Sequence, residues 1–305
     1  MNQDIGKQCD KDYRTDRSGF LARARWHQSA FRARKLAVPF DDYGNYLQQA
    51  DAEKGFNFYD DFDIFKAVKD RYPNYSKPLY ANMLRSEHIP FNLFIPFMTD
   101  YKYAVNVFNV MLNGTIGSID RIKIEYAPSP SSKYLNDRTS FDACIWYTHV
   151  NGKKGVIGVE VKYTEHDYPL KAGSTEEGKI EDRQSIYYKT ALHCGLFDPE
   201  HFNKLASDRF RQIWRNQLLG ERMLIVDPEK YNHFHSLTIY PEGNLHFVEA
   251  SKDYLQLLIS NNLKFLPVTY ESFLQACQRF LPDQRFQKWI DYLRERYIVD
   301  QLSDD

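Results

Sequence analysis

The chain has 305 residues, enough for one large domain or two modest ones, and its 43% hydrophobic and 15% aromatic content is that of a folded protein. Forty Lys and Arg residues against 41 Asp and Glu leave almost no net charge, so any nucleic-acid surface requires local clustering of positive charge. The four cysteines are far apart without a C-x-x-C pair, which disfavours a zinc site or a disulfide framework and fits a reducing cytoplasm. Because the sequence has no long apolar run, we expect a cytoplasmic protein that does not span the membrane.

The first predicted helix spans residues 13–38 and ends before Pro39. It contains one acid, Asp16, among the basic residues Arg14, Arg17, Arg23, Arg25, Arg32, Arg34 and Lys35. Long charged side chains commonly cover a solvated helix face, which is one interpretation of this segment. The other is contact with nucleic-acid phosphates, for which the candidates are Arg23, Arg25, Arg32 and Arg34.

A second helix is predicted to begin at Pro78 and to end at His88, because Pro90 disfavours its continuation. Leu79, Met83 and Glu87 recur every fourth residue and share one face of this helix. Glu87 therefore either lies at the edge of an apolar stripe and points to solvent, or offers a carboxylate to a site.

The middle of the chain is predicted to form three strands, over residues 119–128, 140–149 and 155–165. An Asn-Gly pair at positions 151 and 152 is a strong turn signal and predicts that the second and third strands form a hairpin. Because side chains alternate along a strand, Glu160 and Lys162 share a face, and the hairpin brings Asp142 towards Glu160.

The remaining elements are predicted helices over 176–192 and 201–220, strands over 222–228, 236–241 and 245–251, and one or two helices within 269–298. In the predicted helix over 201–220, Gln217 continues the spacing of Phe210, Ile213 and Trp214, so its amide is expected to face inward. An inward amide either satisfies a buried backbone group or lies beside a phosphate site.

The hairpin residues suit hydrolysis of a phosphodiester. Asp142 and Glu160, with the Val161 carbonyl, supply the hard oxygen ligands that Mg²⁺ prefers, and Mn²⁺ is an expected substitute. Lys162 would orient the attacking water or act as a point charge on the phosphate. The acid-x-Lys string also occurs at residues 100–102 and 177–179, but only at residues 160–162 does it lie in an apolar, β-branched run where an unpaired acid is costly.

The segments RSEHIPFNLF, RTSFDACIWY and KKGVIGVEVKYTE resemble the PD-(D/E)XK nuclease superfamily, including bacterial proteins described as restriction endonucleases. The resemblance is sharpest over residues 80–165. It implies an α/β fold with a restriction-endonuclease-like core, a mixed central sheet flanked by helices. Asp142, Glu160 and Lys162 take its signature positions, Phe141 replaces the proline of its name, and Glu87 and Gln217 match acids and amides that some members direct at the site. We predict an N-terminal, largely helical extension over 1–76 and a nuclease-like domain over 77–305 that includes the C-terminal helices.

The leading hypothesis is therefore a Mg²⁺-dependent DNA endonuclease of restriction or defence type, for which a homodimer is a reasonable expectation. An exonuclease or structure-specific repair nuclease is an alternative that rests on Gln217. A non-catalytic nucleic-acid-binding protein on the same fold is another, although it would not need the acid, acid, lysine cluster. A metal enzyme built on His233 and His235 is a poor fit, because no third ligand is evident.

Overall fold

A computed structural model of the chain describes residues 5–9, 19–261, 263–281 and 283–299. The start of the first predicted helix, with Arg14, Asp16 and Arg17, lies outside these ranges. None of the described helices combines the length and the apolar character needed to cross a membrane.

The fold is built on a five-stranded mixed sheet in the order β3-β4-β5-β6-β7, with a two-stranded sheet, β1-β2, near the N-terminus. The strands are β1 Phe40–Asp41, β2 Tyr43–Leu47, β3 Ile116–Tyr126, β4 Phe141–His149, β5 Lys154–Val161, β6 His233–Tyr240 and β7 Phe265–Thr269. Strands β3, β4 and β5 are antiparallel neighbours, whereas β6 and β7 continue the sheet in parallel with β5. Helical crossovers join the parallel strands, as parallel pairing requires.

Helices cover both faces of the sheet. The α-helices are α1 Phe20–Phe31, α2 Gln49–Ala52, α3 Ile64–Arg71, α4 Lys77–Tyr80, α5 Ile89–Phe94, α6 Tyr101–Met111, α7 Thr175–Glu181, α8 Ile186–Cys194, α9 Phe202–Leu205, α10 Arg211–Val226, α11 Leu245–Leu255, α12 Tyr270–Phe280 and α13 Gln284–Tyr297. A π-helix, Arg32–Leu36, follows α1, and short 3₁₀ turns span Ser86–His88, Ile95–Thr99, Ser131–Lys133 and Pro199–His201. The α/β fold with a helix-flanked mixed sheet is the architecture predicted from the sequence.

The predicted hairpin is present as β4 and β5. Thr148 pairs with Lys154 next to the turn, and Ala143 pairs with Val159 further along. One step beyond this last pair, Asp142 comes beside Glu160. The spacing between the two carboxylates is therefore set by the length of the turn and the register of the hairpin.

The two faces of β5 enter two different cores. Ile157, Val159 and Val161 are fully buried in a core that also contains apolar residues of α5, α6, α12 and α13. On the opposite face, Gly158 leaves room for the ring of Phe141, which lies in the second core with α8 and α10. Glu160 shares that second face, so helix α10 is the element that covers it.

Two predicted strands are wrong. Residues 222–226 are the last part of α10 and residues 245–251 lie in α11, because short apolar runs do not distinguish a buried helix from a strand. The side chain of Asn244 accepts a hydrogen bond from the Phe247 backbone N–H and so starts α11 with an N-cap. Strand β7 was not predicted; it contains Pro267, which is tolerated because the strand lies at the edge of the sheet.

The helix predicted over residues 78–88 is also wrong. The chain forms the single turn α4 and the 3₁₀ turn before α5, and Pro90 stands in the first turn of α5 instead of ending a helix. A proline there gives up an N–H that would have no partner in the helix, so it favours a helix start. The sequence analysis used Pro90 only as a stop signal, whereas the structure uses it at a helix start.

The N-terminal part of the chain packs into the main core. Phe20, Phe31 and Phe58 belong to the same buried cluster as Ile157 and Val159 of β5. This part contains β1 and β2 as well as helices. The boundary between residues 76 and 77 stays a prediction.

Candidate active site

The signature acid and lysine lie at the carboxyl end of β5, a common place for functional groups in α/β sheets. Glu160 and Lys162 are each only 5% exposed. The Lys162 Nζ atom lies 2.7 Å from Glu160 Oε1, so the two charges form a buried ion pair. The Tyr270 hydroxyl donates to the Lys162 carbonyl oxygen at 2.7 Å and fixes the backbone at this point.

Helix α10 completes the environment of the ion pair. Gln212 donates from Nε2 to Glu160 Oε1 at 2.5 Å and accepts from Lys162 Nζ at 2.7 Å. One turn later, Asn216 donates from Nδ2 to Glu160 Oε2 at 2.6 Å. Because residues four apart share a helix face, the two amides approach Glu160 together. Sequence reasoning missed both residues.

Asp142 lies across from Glu160 on β4 and is partly buried. Its Oδ2 accepts a hydrogen bond of 2.7 Å from the Val161 backbone N–H. Burial and the negative charge of Glu160 nevertheless raise the pKa of Asp142 well above the usual range. The site thus holds two carboxylates that repel each other, next to one ammonium group.

Lys162 is charged despite its burial. Burial alone would lower the pKa of this lysine, but the negative charges of Glu160 and Glu165 outweigh it and raise the pKa. A protonated ammonium can donate to a phosphate oxygen or to water, but it cannot act as a base.

These residues fit a divalent cation. Repulsion between Asp142 and Glu160 is what a small, doubly charged ion would relieve, and carboxylate oxygens are its preferred ligands. In the described part of the chain, no three His, Cys, Asp or Glu side chains are grouped so as to hold a metal ion. A cation here would therefore complete its shell with main-chain oxygen, water or substrate, as Mg²⁺ commonly does.

Two further carboxylates adjoin the site. Glu125 of β3 lies between residues that pair with Ala143 and Phe141, which places it opposite Asp142, and it accepts a hydrogen bond from the Tyr72 hydroxyl. Glu165 follows β5 and accepts from the backbone N–H of Tyr163 at 2.7 Å. Because a long loop separates β3 from β4, the sequence does not show that Glu125 pairs opposite Asp142. Glu165 could have been considered from the sequence, because it lies only three residues after Lys162.

Glu87 lies at the border of this region. It is partly exposed and pairs with Arg85, whose Nε donates to Glu87 Oε2 at 3.3 Å. Glu87 and Glu125 line the same cavity, of about 350 Å³. The structure thus brings Glu87 near the acidic side of the site, on a 3₁₀ turn instead of the predicted helix.

Gln217 does not take the expected position. It is fully buried on α10, but its Nε2 donates to Glu221 at 3.0 Å, and its Oε1 accepts no hydrogen bond from the described residues. The neighbouring face of α10, with Gln212 and Asn216, is the one that meets Glu160. Helical periodicity identified the correct helix, but it selected Gln217 instead of the preceding residue, Asn216, which contacts Glu160.

The N-terminal arginines divide into two kinds. Arg25 and Arg32 are buried: Arg25 donates to the Cys9 carbonyl, and Arg32 donates through Nε to the Gly44 carbonyl at 2.8 Å. These two guanidinium groups hold the N-terminal segment together. The prediction that Arg25 and Arg32 contact nucleic-acid phosphates is therefore corrected, because both are buried. Arg23 and Arg34 are exposed, so a phosphate can reach them.

A second buried network borders the site on α10. Arg211 and Arg215 lie one turn apart, and both guanidinium groups bind Glu176 of α7, at 3.1 Å and 2.8 Å. Arg215 also donates to the Thr139 hydroxyl at 2.8 Å. The two arginines anchor α7 beside the helix that carries Gln212 and Asn216.

His233 and His235 do not form a site together. The His233 ring stacks on His149 with centroids 4.7 Å apart. His235 is buried, with Nε2 at 2.7 Å from the Tyr147 hydroxyl and Nδ1 at 2.7 Å from the Leu263 carbonyl. Both ring nitrogens of His235 are thus engaged in packing the sheet.

Tyr163, directly after Lys162, is held by both ends of the described chain. Its hydroxyl accepts a hydrogen bond of 2.9 Å from Gln28 of α1. Its ring makes edge-to-face contacts with Phe20, at 6.1 Å between centroids, and with Tyr297 of α13, at 5.9 Å. The position of Lys162 therefore depends on elements far away in the sequence.

A helix-flanked mixed sheet with two carboxylates and a lysine at the ends of adjacent strands is the arrangement expected of a nuclease with this fold. Comparison with protein families agrees: residues 12–299 match the PD-(D/E)XK nuclease superfamily, and the chain belongs to it. The resemblance found in the sequence motifs is thereby confirmed. No curated protein and no solved structure matches the chain. Nucleases of this superfamily generally use divalent metal ions, and their substrate is nucleic acid.

Proposed function

We propose that this protein is a Mg²⁺-dependent DNA endonuclease of restriction or defence type, acting in the cytoplasm. The observation that supports the proposal best is the buried cluster of Asp142, Glu160 and Lys162 at the end of β5. A buried ion pair next to a second carboxylate contributes little to folding stability, because desolvation offsets the attraction between the charges. A catalytic role therefore explains this cluster better than a contribution to stability does.

Asp142, Glu160 and the Val161 carbonyl would hold the cation, and Glu87 is proposed as a further ligand. A carboxylate offers about four lone-pair positions. Lys162 and Gln212 approach Oε1 of Glu160, and Asn216 approaches Oε2, which leaves room for a ligand bond at Oε2. When bound, the cation would lower the pKa of a ligated water and neutralise charge on the phosphoryl oxygens.

Lys162 would act as an electrostatic stabiliser. Because its pKa is raised, it carries a full positive charge at neutral pH, and Gln212 holds its Nζ in place. It would donate a hydrogen bond to a non-bridging phosphate oxygen as negative charge builds up in the transition state. The exposed residues Arg23 and Arg34 are proposed to contact more distant phosphates, and their contribution would weaken with salt.

The direct test is cleavage of supercoiled plasmid DNA in Mg²⁺, in Mn²⁺ and in EDTA. We expect cleavage with either metal ion and none with EDTA. Asp142→Ala removes a proposed ligand and should abolish cleavage. Undiminished cleavage by Asp142→Ala would rule out the site, and a lack of cleavage by the unaltered protein on plasmid, linear and single-stranded DNA would rule out the function.

The alternative of an exonuclease or repair nuclease rested on Gln217, and the amide of this residue donates to Glu221 and not to Glu160. A requirement for DNA ends or branches would restore it. Metal-independent, salt-dependent DNA binding without hydrolysis would favour a non-catalytic role. The homodimer stays a prediction, which light scattering with and without DNA would decide.

A further inference from the structure

We infer that a cavity between the N-terminal segment and the end of β5 binds an unpaired nucleobase next to the cleaved phosphodiester. The inference rests on the proposed function and adds a substrate class to it: nucleic acid with a base turned out of the stack, or single-stranded. The cavity has a volume of about 240 Å³ and is lined by Tyr43, Asn45, Tyr46, Asn82, Arg85 and Glu165, among others.

The strongest feature of this cavity is a buried acceptor without a donor. Asn45 is 1% exposed, and its Oδ1 accepts no hydrogen bond from the described residues. Its Nδ2 donates to Asn82 Oδ1 at 3.2 Å, and Asn82 Nδ2 donates to the Tyr46 hydroxyl at 2.9 Å. These bonds fix the amide, and a buried acceptor left unpaired is costly, so a ligand that donates to Asn45 Oδ1 would be stabilised here.

Aromatic rings stand beside this acceptor. Tyr43 and Tyr46 are both partly exposed, with ring centroids 6.4 Å apart and planes inclined by 53°. A flat heterocycle can stack on such a ring, while its edge donates to Asn45. Adenine, cytosine and guanine carry an exocyclic amino group suited to that role. A cavity that combines amides, phenols and rings thus fits a nucleobase better than an apolar ligand.

The cavity adjoins the catalytic cluster through Glu165. This carboxylate lines the cavity and accepts from the backbone N–H of Tyr163, the residue directly after Lys162. It also accepts from the Ser86 backbone N–H at 3.3 Å, next to Arg85. A base in the cavity would therefore belong to a nucleotide at or next to the phosphate that Lys162 contacts.

The test compares homopolymeric single-stranded oligonucleotides of dA, dC or dT with an abasic oligonucleotide of equal phosphate number. The full-length Lys162→Ala protein is used with Mg²⁺, and binding is followed by fluorescence anisotropy. We expect dA and dC to bind at least about tenfold more tightly than the abasic chain, as one stacked and hydrogen-bonded base provides. Adding Asn45→Leu or Tyr43→Ala should move this ratio towards one and leave abasic binding unchanged.

The matched control is Tyr101→Ala, which removes a partly buried tyrosine on α6, away from the cavity. It should preserve the ratio. Tyr43→Ala keeps the test decisive if Asn45→Leu does not fold. Equal binding of base-bearing and abasic chains, or a ratio that both folded variants preserve, overturns the inference. Because binding is measured without hydrolysis, that failure is distinct from a lack of plasmid cleavage by the unaltered protein, which overturns the proposed function itself.

Discussion

The same three-residue string, acid-x-Lys, occurs at the end of β5 as Glu160-Val-Lys162 and in α7 as Glu177-Gly-Lys179, with different results. In β5 the two side chains share a face and lie 2.7 Å apart, buried. In α7, Glu177 accepts from the Gly173 N–H at 2.6 Å and Lys179 donates to the Asn136 carbonyl at 2.9 Å. Residues two apart meet on a strand and diverge on a helix, so the secondary structure decides which string can become a site.

The largest expected effect separates the two lysines. Lys162→Ala should reduce plasmid cleavage by about 100- to 1,000-fold, the loss typical of a preorganised donor to a transition-state charge. Lys179→Ala, in the equivalent position of the other string, should leave the rate within about twofold, because the ammonium group of Lys179 donates to the Asn136 backbone carbonyl, outside the candidate site. Initial rates at saturating Mg²⁺ measure both, and equal losses would show that the lysine of β5 has no special role.

A smaller effect tests which face of α10 serves the site. Asn216→Ala removes a donor to Glu160 and should lower the cleavage rate about tenfold, with a higher Mg²⁺ requirement, as for other residues that orient a ligand. Gln217→Ala should leave the rate unchanged and lower the free energy of unfolding by about 1 kcal/mol. Metal titrations of the rate and urea denaturation distinguish the two outcomes. A loss of rate only in Gln217→Ala would return that residue to the site.

Two helical glycines extend the comparison to packing. A Cβ on Gly220 of α10 would overlap the ring of Phe234, whereas Gly178 of α7 has nothing within 4 Å of that position. Gly220→Ala should therefore destabilise the protein by about 1–3 kcal/mol. Gly178→Ala should stabilise it by up to about 1 kcal/mol, because alanine favours the helix. Urea unfolding of both variants measures whether the free energy of unfolding falls or rises. An unchanged free energy of unfolding in Gly220→Ala would mean that α10 can move away from the sheet.

The smallest effect concerns pH. Since the pKa of Asp142 is raised, the folded protein binds this proton more tightly than the unfolded chain, and stability falls as pH rises from the unfolded pKa through the folded one. Without metal, Asp142→Asn should raise Tm by about 2 °C at neutral pH and by less near pH 4. Scans in EDTA measure the difference, and added Mg²⁺ should stabilise only the unaltered protein. A Tm difference that is independent of pH would contradict the raised pKa.

The sequence predicted the part of the site that depends on local pattern. Alternation and the Asn-Gly turn sufficed to bring Asp142, Glu160 and Lys162 together, because a hairpin has a short, fixed register. Gln212 and Asn216 could not be found in this way. Their role depends on the rotation of α10 against the sheet, and periodicity defines a helix face only to within about one residue.

The fold shows the same limit. The hairpin and the two C-terminal helices are confirmed, whereas the apolar runs at 222–228 and 245–251 were assigned to strands and form helices. A short apolar run is compatible with either element, and only the neighbouring elements decide between them. The buried roles of Arg25 and Arg32 likewise follow from distant backbone carbonyls that no local pattern shows.

The position of Tyr163 between α1 and α13 has a consequence for partial chains of the protein. Phe20 and Gln28 come from near the start of the described chain and Tyr297 from near its end, and all three meet the residue that follows Lys162. A nascent chain released early lacks Tyr297, so we expect its lysine to be poorly held. A partial chain without α13 should therefore be a poor nuclease, although it still contains Asp142, Glu160 and Lys162.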